Sequence, residues 1–253
     1  MAMLKRKAGR RRLAILLGAF GVVAVCVAAS SCRPETPLVL TPPWQAGEYS
    51  RLVMSNSATG DRIGDWETEV ERDPAGGGYV LSTTLTTADA SERVKVTVSA
   101  GDLTPSFMEL QGESGAARTM VLLRATYTDG KVTGAITQDG VGQPYPSLKL
   151  PKPPYFDNEQ VVFVLRALPL AEGYKVTLNV IVTRGANKAQ IAIAVGAAES
   201  VTVPAGTFDC WPVELVGLGQ KFWIAVDAPH QIVQFANSGS AIISKLEEFR
   251  PGP

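Results

Sequence analysis

Residues 175–182 read KVTLNVIV, and this octapeptide carries the clearest fold signal in the chain. Its apolar residues recur at every second position: Val176, Leu178, Val180 and Val182. Because successive side chains of a β-strand point to opposite faces, this spacing predicts a strand with one buried face and one wetted face. Such strands are typical of antiparallel sheets, since strands of parallel sheets are buried on both faces.

The same alternation recurs along the chain, in residues 93–98 (RVKVTV) and in residues 191–195 (IAIAV). The dipeptide Asp129-Gly130 lies between apolar residues and predicts a hairpin with a two-residue turn of type I′, because glycine tolerates the positive φ that this turn requires. Other turn signals follow at short intervals. The chain beyond Trp44 is therefore predicted to be all-β and mainly antiparallel, with about a dozen strands in curved sheets or a partly open barrel.

One segment departs from this period. Residues 157–168 read DNEQVVFVLRAL, with Asp157 placed to cap a helix, Gln160 three residues later and Pro169 after the run. This arrangement predicts a single short helix. A buried strand stays open as the alternative, because short apolar runs fit both structures.

The helix and the proline-rich residues 145–155 before it divide the domain. We expect one β domain over residues 44–250, in which this link separates two curved halves, 44–140 and 173–250.

Residues 1–31 have the three parts of a secretory signal peptide. Residues 4–12 (LKRKAGRRR) are strongly cationic, residues 13–29 carry no charge, and two serines precede Cys32. A cysteine directly after small residues resembles the lipobox of bacterial lipoproteins, in which the thiol is diacylated. The resemblance implies lipid attachment at Cys32, and therefore a membrane as a partner through an N-terminal lipid anchor.

Two other fates of the leader stay open. The uncharged stretch 13–31 just reaches the length needed to span a bilayer, so it could remain as an uncut signal anchor. Simple cleavage is the third alternative. In all three cases the domain is extracytoplasmic, in the periplasm or at the outer face of the cell envelope, and residues 32–43 form a proline-rich tether.

Charge argues against a nucleic-acid partner. Six of the 24 basic residues precede Cys32 and all 24 acidic residues follow it, so the segment after Cys32 has a formal charge of −6. An acidic domain without a basic stripe has no electrostatic attraction to phosphate.

The sequence also argues against most catalytic and metal sites. The predicted β domain, residues 44–250, holds one cysteine, Cys210, and one histidine, His230. We therefore expect no metal, no cofactor and no catalytic residue. The candidate nucleophilic triad consists of Cys210, His230 and Asp227. It requires an exposed thiolate, whereas Cys210 lies within an apparent strand and is predicted to be buried.

A carboxylate-based hydrolase is a second alternative. Four acidic residues flank an aromatic one, Trp66: they are Asp65, Glu67, Glu69 and Glu71. Paired carboxylates can hydrolyse glycosides. At alternate positions, however, these four share one strand face, and an acidic wetted face is the ordinary explanation.

Several segments, taken in order, resemble the bacterial envelope family called domain of unknown function 3108 (DUF3108) over most of residues 44–250. They are residues 44–49, 60–64 (GDRIG), 166–170 (RALPL), 203–210 (VPAGTFDC) and 222–227 (FWIAVD). The resemblance implies an exported, mainly antiparallel β domain, and it implies no activity.

An open, twisted sheet offers a concave apolar face that can bind an apolar ligand. Six aromatic residues are candidates to line it: Trp44, Phe107, Phe163, Phe222, Trp223 and Phe235. The leading hypothesis is a non-catalytic binding module for an apolar small molecule or an envelope component. The first alternative is a structural or protein-interaction role in the envelope, with an envelope protein as partner.

Overall fold

The structure is a computed structural model that describes residues 38–115 and 117–253. The predictions of a signal peptide over residues 1–31 and of lipid attachment at Cys32 lie outside the described residues. Part of the predicted tether is described: Leu38 and Leu40 pack against the core, and Thr41 N donates to Ala167 O at 2.9 Å.

The described residues contain seventeen strands, which confirms the all-β prediction. In chain order they are β1 Tyr49–Asn56, β2 Arg62–Arg72, β3 Gly78–Thr87, β4 Ala90–Ser99, β5 Pro105–Ser114, β6 Thr119–Thr128, β7 Lys131–Gln138, β8 Val141–Gln143, β9 Leu148–Lys149, β10 Phe156–Asp157, β11 Lys175–Val182, β12 Asn187–Val195, β13 Glu199–Val203, β14 Gly206–Leu215, β15 Gln220–Ala225, β16 Ile232–Asn237 and β17 Ile242–Arg250.

The strands form one sheet rather than two. Strands β1 to β7 pair in sequence as an antiparallel meander, and β14 to β17 form a second one. The first strand, β1, also pairs with the last, β17, from Tyr49↔Arg250 to Asn56↔Ile242. This long-range pairing joins the two segments that flank the helix into a continuous sheet.

The predicted hairpin at Asp129-Gly130 is confirmed. The two residues have φ of 50° and 70°, and Thr128 pairs with Lys131 on either side of them. Positive φ at both central positions defines the type I′ turn, whose twist matches that of the strands. Alternation is confirmed as well, since β4 buries Val94, Val96 and Val98 while the residues between them stay partly exposed.

The single helix is also confirmed. Asp157 caps a 3₁₀ turn, Asn158–Gln160, by accepting from Glu159 N. The side-chain oxygen of Gln160 accepts in turn from Asp157 N, which completes a capping box. The α-helix α1, Val161–Ala167, follows directly. Leu168 is extended, because the residue before a proline avoids the helical region.

The two ends of the sheet come together around the proline-rich link. Within this link β9 pairs with the edge of β7, and directly after it β10 pairs in parallel with β11. Tyr145, between β8 and β9, donates its hydroxyl to Thr183 O beyond β11 at 2.9 Å. The link therefore bridges the gap between the first meander and β11. Across residues 38–115 and 117–253, none of the helices is both long and apolar enough to cross a bilayer.

Candidate functional site

The concave interior of the sheet is occupied by the chain itself. Every residue of α1 is buried, although an amphipathic stripe would bury only one side of a helix. Phe163 is 1% exposed and packs edge-on against Trp44, with ring centroids 5.9 Å apart. A cavity beside α1, lined in part by Val94 and Val162, has a volume of about 20 Å³, which is room for roughly one water molecule.

A buried polar cluster anchors the start of the helical segment. Asp157 is fully buried and accepts hydrogen bonds from the hydroxyls of Tyr127 and Thr183. The two hydroxyl oxygens lie 2.6 Å apart. Burial raises the pKa of Asp157 to about 6, and the charge of Glu159 adds to this shift. Burial, followed by the charge of Asp157, raises the pKa of Tyr127 well above its ordinary value. The cluster ties β6, the helical cap and the β11–β12 connection together.

An ion-pair network lies next to this cluster. Arg184 donates to Glu92 at 2.7 Å and to Glu159 at 2.8 Å. Burial lowers the pKa of Arg184, but the charges of Glu159 and Glu92 outweigh burial and raise it above its ordinary value. The network therefore fastens the cap of the helix to β4.

The end of α1 is held by a second buried ion pair. Arg166 and Glu48 are 2% and 3% exposed, and their Nη1 and Oε1 atoms are 2.7 Å apart. The guanidinium also donates to the carbonyl oxygens of Pro229 and His230, both at 2.9 Å, and lies over the Trp44 ring. With polar anchors at both ends, α1 is fixed in the interior.

The six aromatic candidates do not meet around one open trough. Four of them, Trp44, Phe163, Phe222 and Phe235, are buried in the packed core. Phe222 and Phe235 stack at 4.7 Å between centroids. Phe107 and Trp223 are partly exposed, and Trp223 donates to Glu199 and lies under Lys221.

The acidic face of β2 is confirmed as a partly exposed strand face, opposite the buried Trp66. Three of its four carboxylates have separate partners. Asp65 pairs with Arg62 at 2.7 Å and Glu69 pairs with Arg93 at 2.7 Å. Glu67 accepts the hydroxyl of Tyr49 at 2.5 Å, and burial, followed by Glu67, raises the pKa of Tyr49 to about 12.

Cys210 and His230 are likewise not directed at each other. Cys210 is fully buried and donates to Phe208 O, and burial raises its pKa to about 12. A thiol with this pKa stays protonated at neutral pH. The His230 ring contacts Ala225 O at 3.0 Å through Nδ1. The nucleophilic triad is therefore not assembled. Within the described part of the chain, no three His, Cys, Asp or Glu side chains are grouped as a metal site would require.

A larger concavity than the one beside α1 lies on the outer face of the first meander. It is an open groove of about 440 Å³ lined by Glu71, Arg72, Asp73, Pro74, Val80, Lys95, Thr97, Phe107 and Glu109. We call this set the outer groove.

Sequence reasoning missed most of these contacts. Asp157 was recognised as a helix cap, but its partners Tyr127 and Thr183 lie 30 and 26 positions away from it in the sequence. Arg166 gave a usable signal, because a charged residue inside an apolar helical run needs a buried partner. No sequence motif identifies the outer groove, because its residues come from four strands and one turn.

The chain is similar to a known protein family and to solved structures. A family described as protein of unknown function (DUF3108) matches residues 51–242. No curated protein matches the sequence.

Two solved structures are similar. The first is a β-barrel-like protein of domain of unknown function DUF1849 from Brucella abortus, with a TM-score of 0.52, 11% identity, and coverage of 82% of this chain and 98% of that one. The second is a Bacteroides fragilis protein described as having a YmcC-like fold, with a TM-score of 0.29, 13% identity, and coverage of 84% and 99%. The first likeness supports the fold alone.

Proposed function

The chain belongs to the DUF3108 family of proteins of unknown function, and we propose that it is an exported envelope protein that acts through its outer surface. Its N-terminal segment holds it at a membrane, and its β domain serves as a binding or structural partner of other envelope components. The domain carries out no bond-breaking chemistry.

The observation that carries this proposal is the filled interior. An apolar small molecule would need the space that α1 occupies, and α1 is anchored by the Asp157 cluster at one end and by the Glu48–Arg166 pair at the other. Displacing it would expose the buried Phe163 and leave a buried charge unpaired, and both changes are unfavourable. A surface role requires neither, so it is favoured over an apolar ligand in the interior.

The composition of residues 1–32 supports the proposed export and membrane attachment. This segment begins with cationic residues, continues with an uncharged stretch and ends with small residues before Cys32. Such a sequence fits the precursor of a lipid-anchored protein. Residues 33–37 separate Cys32 from Leu38, which packs on the domain. Even a fully extended chain of this length reaches only about 20 Å. A lipid on Cys32 would therefore hold the domain close to the bilayer surface.

The placement of the reactive groups supports a non-catalytic role. The thiol of Cys210 is buried, and three carboxylates of β2 are engaged by Arg62, Tyr49 and Arg93. A carboxylate pair for hydrolysis must instead face a shared substrate.

Membrane attachment is tested with two cysteine variants in a bacterial host supplied with labelled palmitate. The wild-type protein is expected in the membrane fraction, labelled and released by detergent only. The Cys32→Ala variant should lose the label and become soluble, whereas Cys26→Ala, within the leader, should keep both properties. If Cys32→Ala stays as firmly bound as the wild type, the lipid anchor is refuted and an uncut signal anchor takes its place.

The filled interior is tested by native mass spectrometry of protein purified from its own membrane. The expected mass is that of the polypeptide with its acyl chains and no retained molecule. A stoichiometric, non-covalently bound apolar molecule would contradict a purely surface-acting protein and would restore the interior-ligand hypothesis.

A further inference from the structure

The floor of the outer groove combines two apolar and two polar side chains, and charged groups lie around it. This floor is one cross-strand row, in which Glu71 pairs with Val80, Val80 with Thr97, and Thr97 with Phe107. Residues directly opposite on paired strands share a face, so these four side chains lie side by side. With a strand spacing of about 4.8 Å, the row is about 14 Å long.

The charged groups around this floor are partly unengaged. Arg72 lies over the Tyr79 ring at 4.9 Å, and Glu109 pairs with Arg124 at 2.7 Å. In contrast, the side chains of Lys95 and Glu71 make no hydrogen bond or ion pair with any other described residue. The groove therefore offers a free donor and a free acceptor beside a partly exposed aromatic ring.

This combination excludes several classes of ligand. The backbone groups of the floor are already paired between strands, so an extended peptide cannot add to the sheet here as it would at a strand edge. Three carboxylates against two cations in the lining disfavour nucleic acid and other polyanions. An acyl chain would need a dry channel, whereas this groove is open and largely charged.

We infer that the outer groove binds a short, neutral oligosaccharide. A sugar ring presents a face of C–H groups that packs on an aromatic ring, as Phe107 can provide. Its hydroxyls both donate and accept, which matches Lys95, Glu71 and Thr97. The inference deepens the proposed function, because it rests on action through the outer surface and names the class of envelope component that is bound.

The test uses the full-length, membrane-extracted protein in a zwitterionic detergent, because a detergent with a sugar head group would compete. Chitotriose, cellotriose and maltotriose are titrated by calorimetry, with trialanine as the peptide probe. At least one trisaccharide should bind with a Kd on the order of 1 mM or tighter, and trialanine should not. Phe107→Ala should weaken binding at least several-fold, and Phe107→Tyr should retain it.

Two further variants separate a local effect from misfolding. Lys95→Ala removes a free donor from the groove and should also weaken binding. Trp223→Ala removes an aromatic ring outside the groove and should leave binding unchanged.

The inference is overturned if no trisaccharide binds at 10 mM, on the order of ten times the weakest Kd expected, if Phe107→Ala binds as the wild type does, or if trialanine binds through Phe107. Its failure is distinguishable from failure of the proposed function, because membrane attachment in the Cys32 variants does not depend on the groove.

Discussion

At the scale of single residues, the buried Asp157 couples its protonation to the fold in the acidic pH range. Its pKa is raised from 3.8 to about 6, first by burial and then by Glu159. Between these two values the folded protein holds a proton that the unfolded chain releases. Lowering the pH from 7 toward 4 should therefore increase the free energy of unfolding, by up to about 3 kcal/mol.

The measurement is urea denaturation at several pH values between 5 and 7. This window avoids opposing effects from Asp102, Glu113 and Glu199, whose pKa values are lowered. Asp157→Asn keeps the shape but cannot titrate, so its stability should vary much less with pH. An equal slope in the wild type and the variant would show that another group is responsible.

The buried Glu48–Arg166 pair gives a second prediction at this scale. Arg166→Met should destabilise the protein by about 3–5 kcal/mol, because it leaves a buried carboxylate without its partner. Adding Glu48→Gln should recover part of this loss, since the second change removes the unpaired charge. The free energies come from urea denaturation of the two single variants and the double variant.

A matched control exists on the surface. Arg62 and Asp65 are also 2.7 Å apart, but Arg62 is exposed. Arg62→Met should change stability little, because exposed ion pairs are screened by water. If Arg166→Met proved as mild as Arg62→Met, the anchoring role of the buried pair would be wrong.

At the scale of an element, α1 behaves as part of the core rather than as a surface helix. Phe163→Ala should cost about 3–5 kcal/mol, since it removes a buried aromatic side chain and leaves a cavity. A dry apolar cavity of this kind binds small apolar molecules. The variant should therefore bind benzene in saturation-transfer NMR, and the wild type should not.

The outer-face aromatic Phe107 provides the comparison. Phe107→Ala removes the same atoms from a partly exposed position, so it should destabilise less and create no benzene site. Benzene binding by the wild-type protein would instead mean that the interior around α1 is accessible.

At the scale of the whole molecule, the two meanders should unfold together. The β1–β17 pairing joins them. On one side α1 packs on Trp44, whose ring contacts Tyr79 of β3, and on the other side Arg166 of α1 donates to Pro229 and His230. Neither meander can bury its inner face without the other. In hydrogen-exchange mass spectrometry with added urea, amides of β3–β4 and of β14–β15 should therefore report the same free energy of opening.

The exposed strand β8 serves as an internal reference, because its three residues are all exposed and should exchange by local opening. Distinct opening energies for β3–β4 and β14–β15 would show that the meanders are independent units.

Local features of the fold were predictable from the sequence because their causes are local. Alternation in residues 93–98 follows from the pleat of a strand, the turn at Asp129-Gly130 follows from glycine stereochemistry, and the helix start follows from the capping box at Asp157. Each depends on residues fewer than ten positions apart, and each is confirmed. The family resemblance was predictable too, because its motifs are short and ordered along the chain.

Long-range features needed the folded chain. Alternation in residues 222–224 shows that Phe222 and Trp223 face opposite ways, but only packing shows that Phe222 is the inner one. The pairing of β1 with β17, the partners of Arg166 and the row beneath the outer groove join residues far apart in sequence. Their energies depend on distance in space and on exclusion of water, and a linear pattern holds neither quantity. That is why the sequence indicated a concave apolar face, whereas the structure alone revealed that α1 fills it.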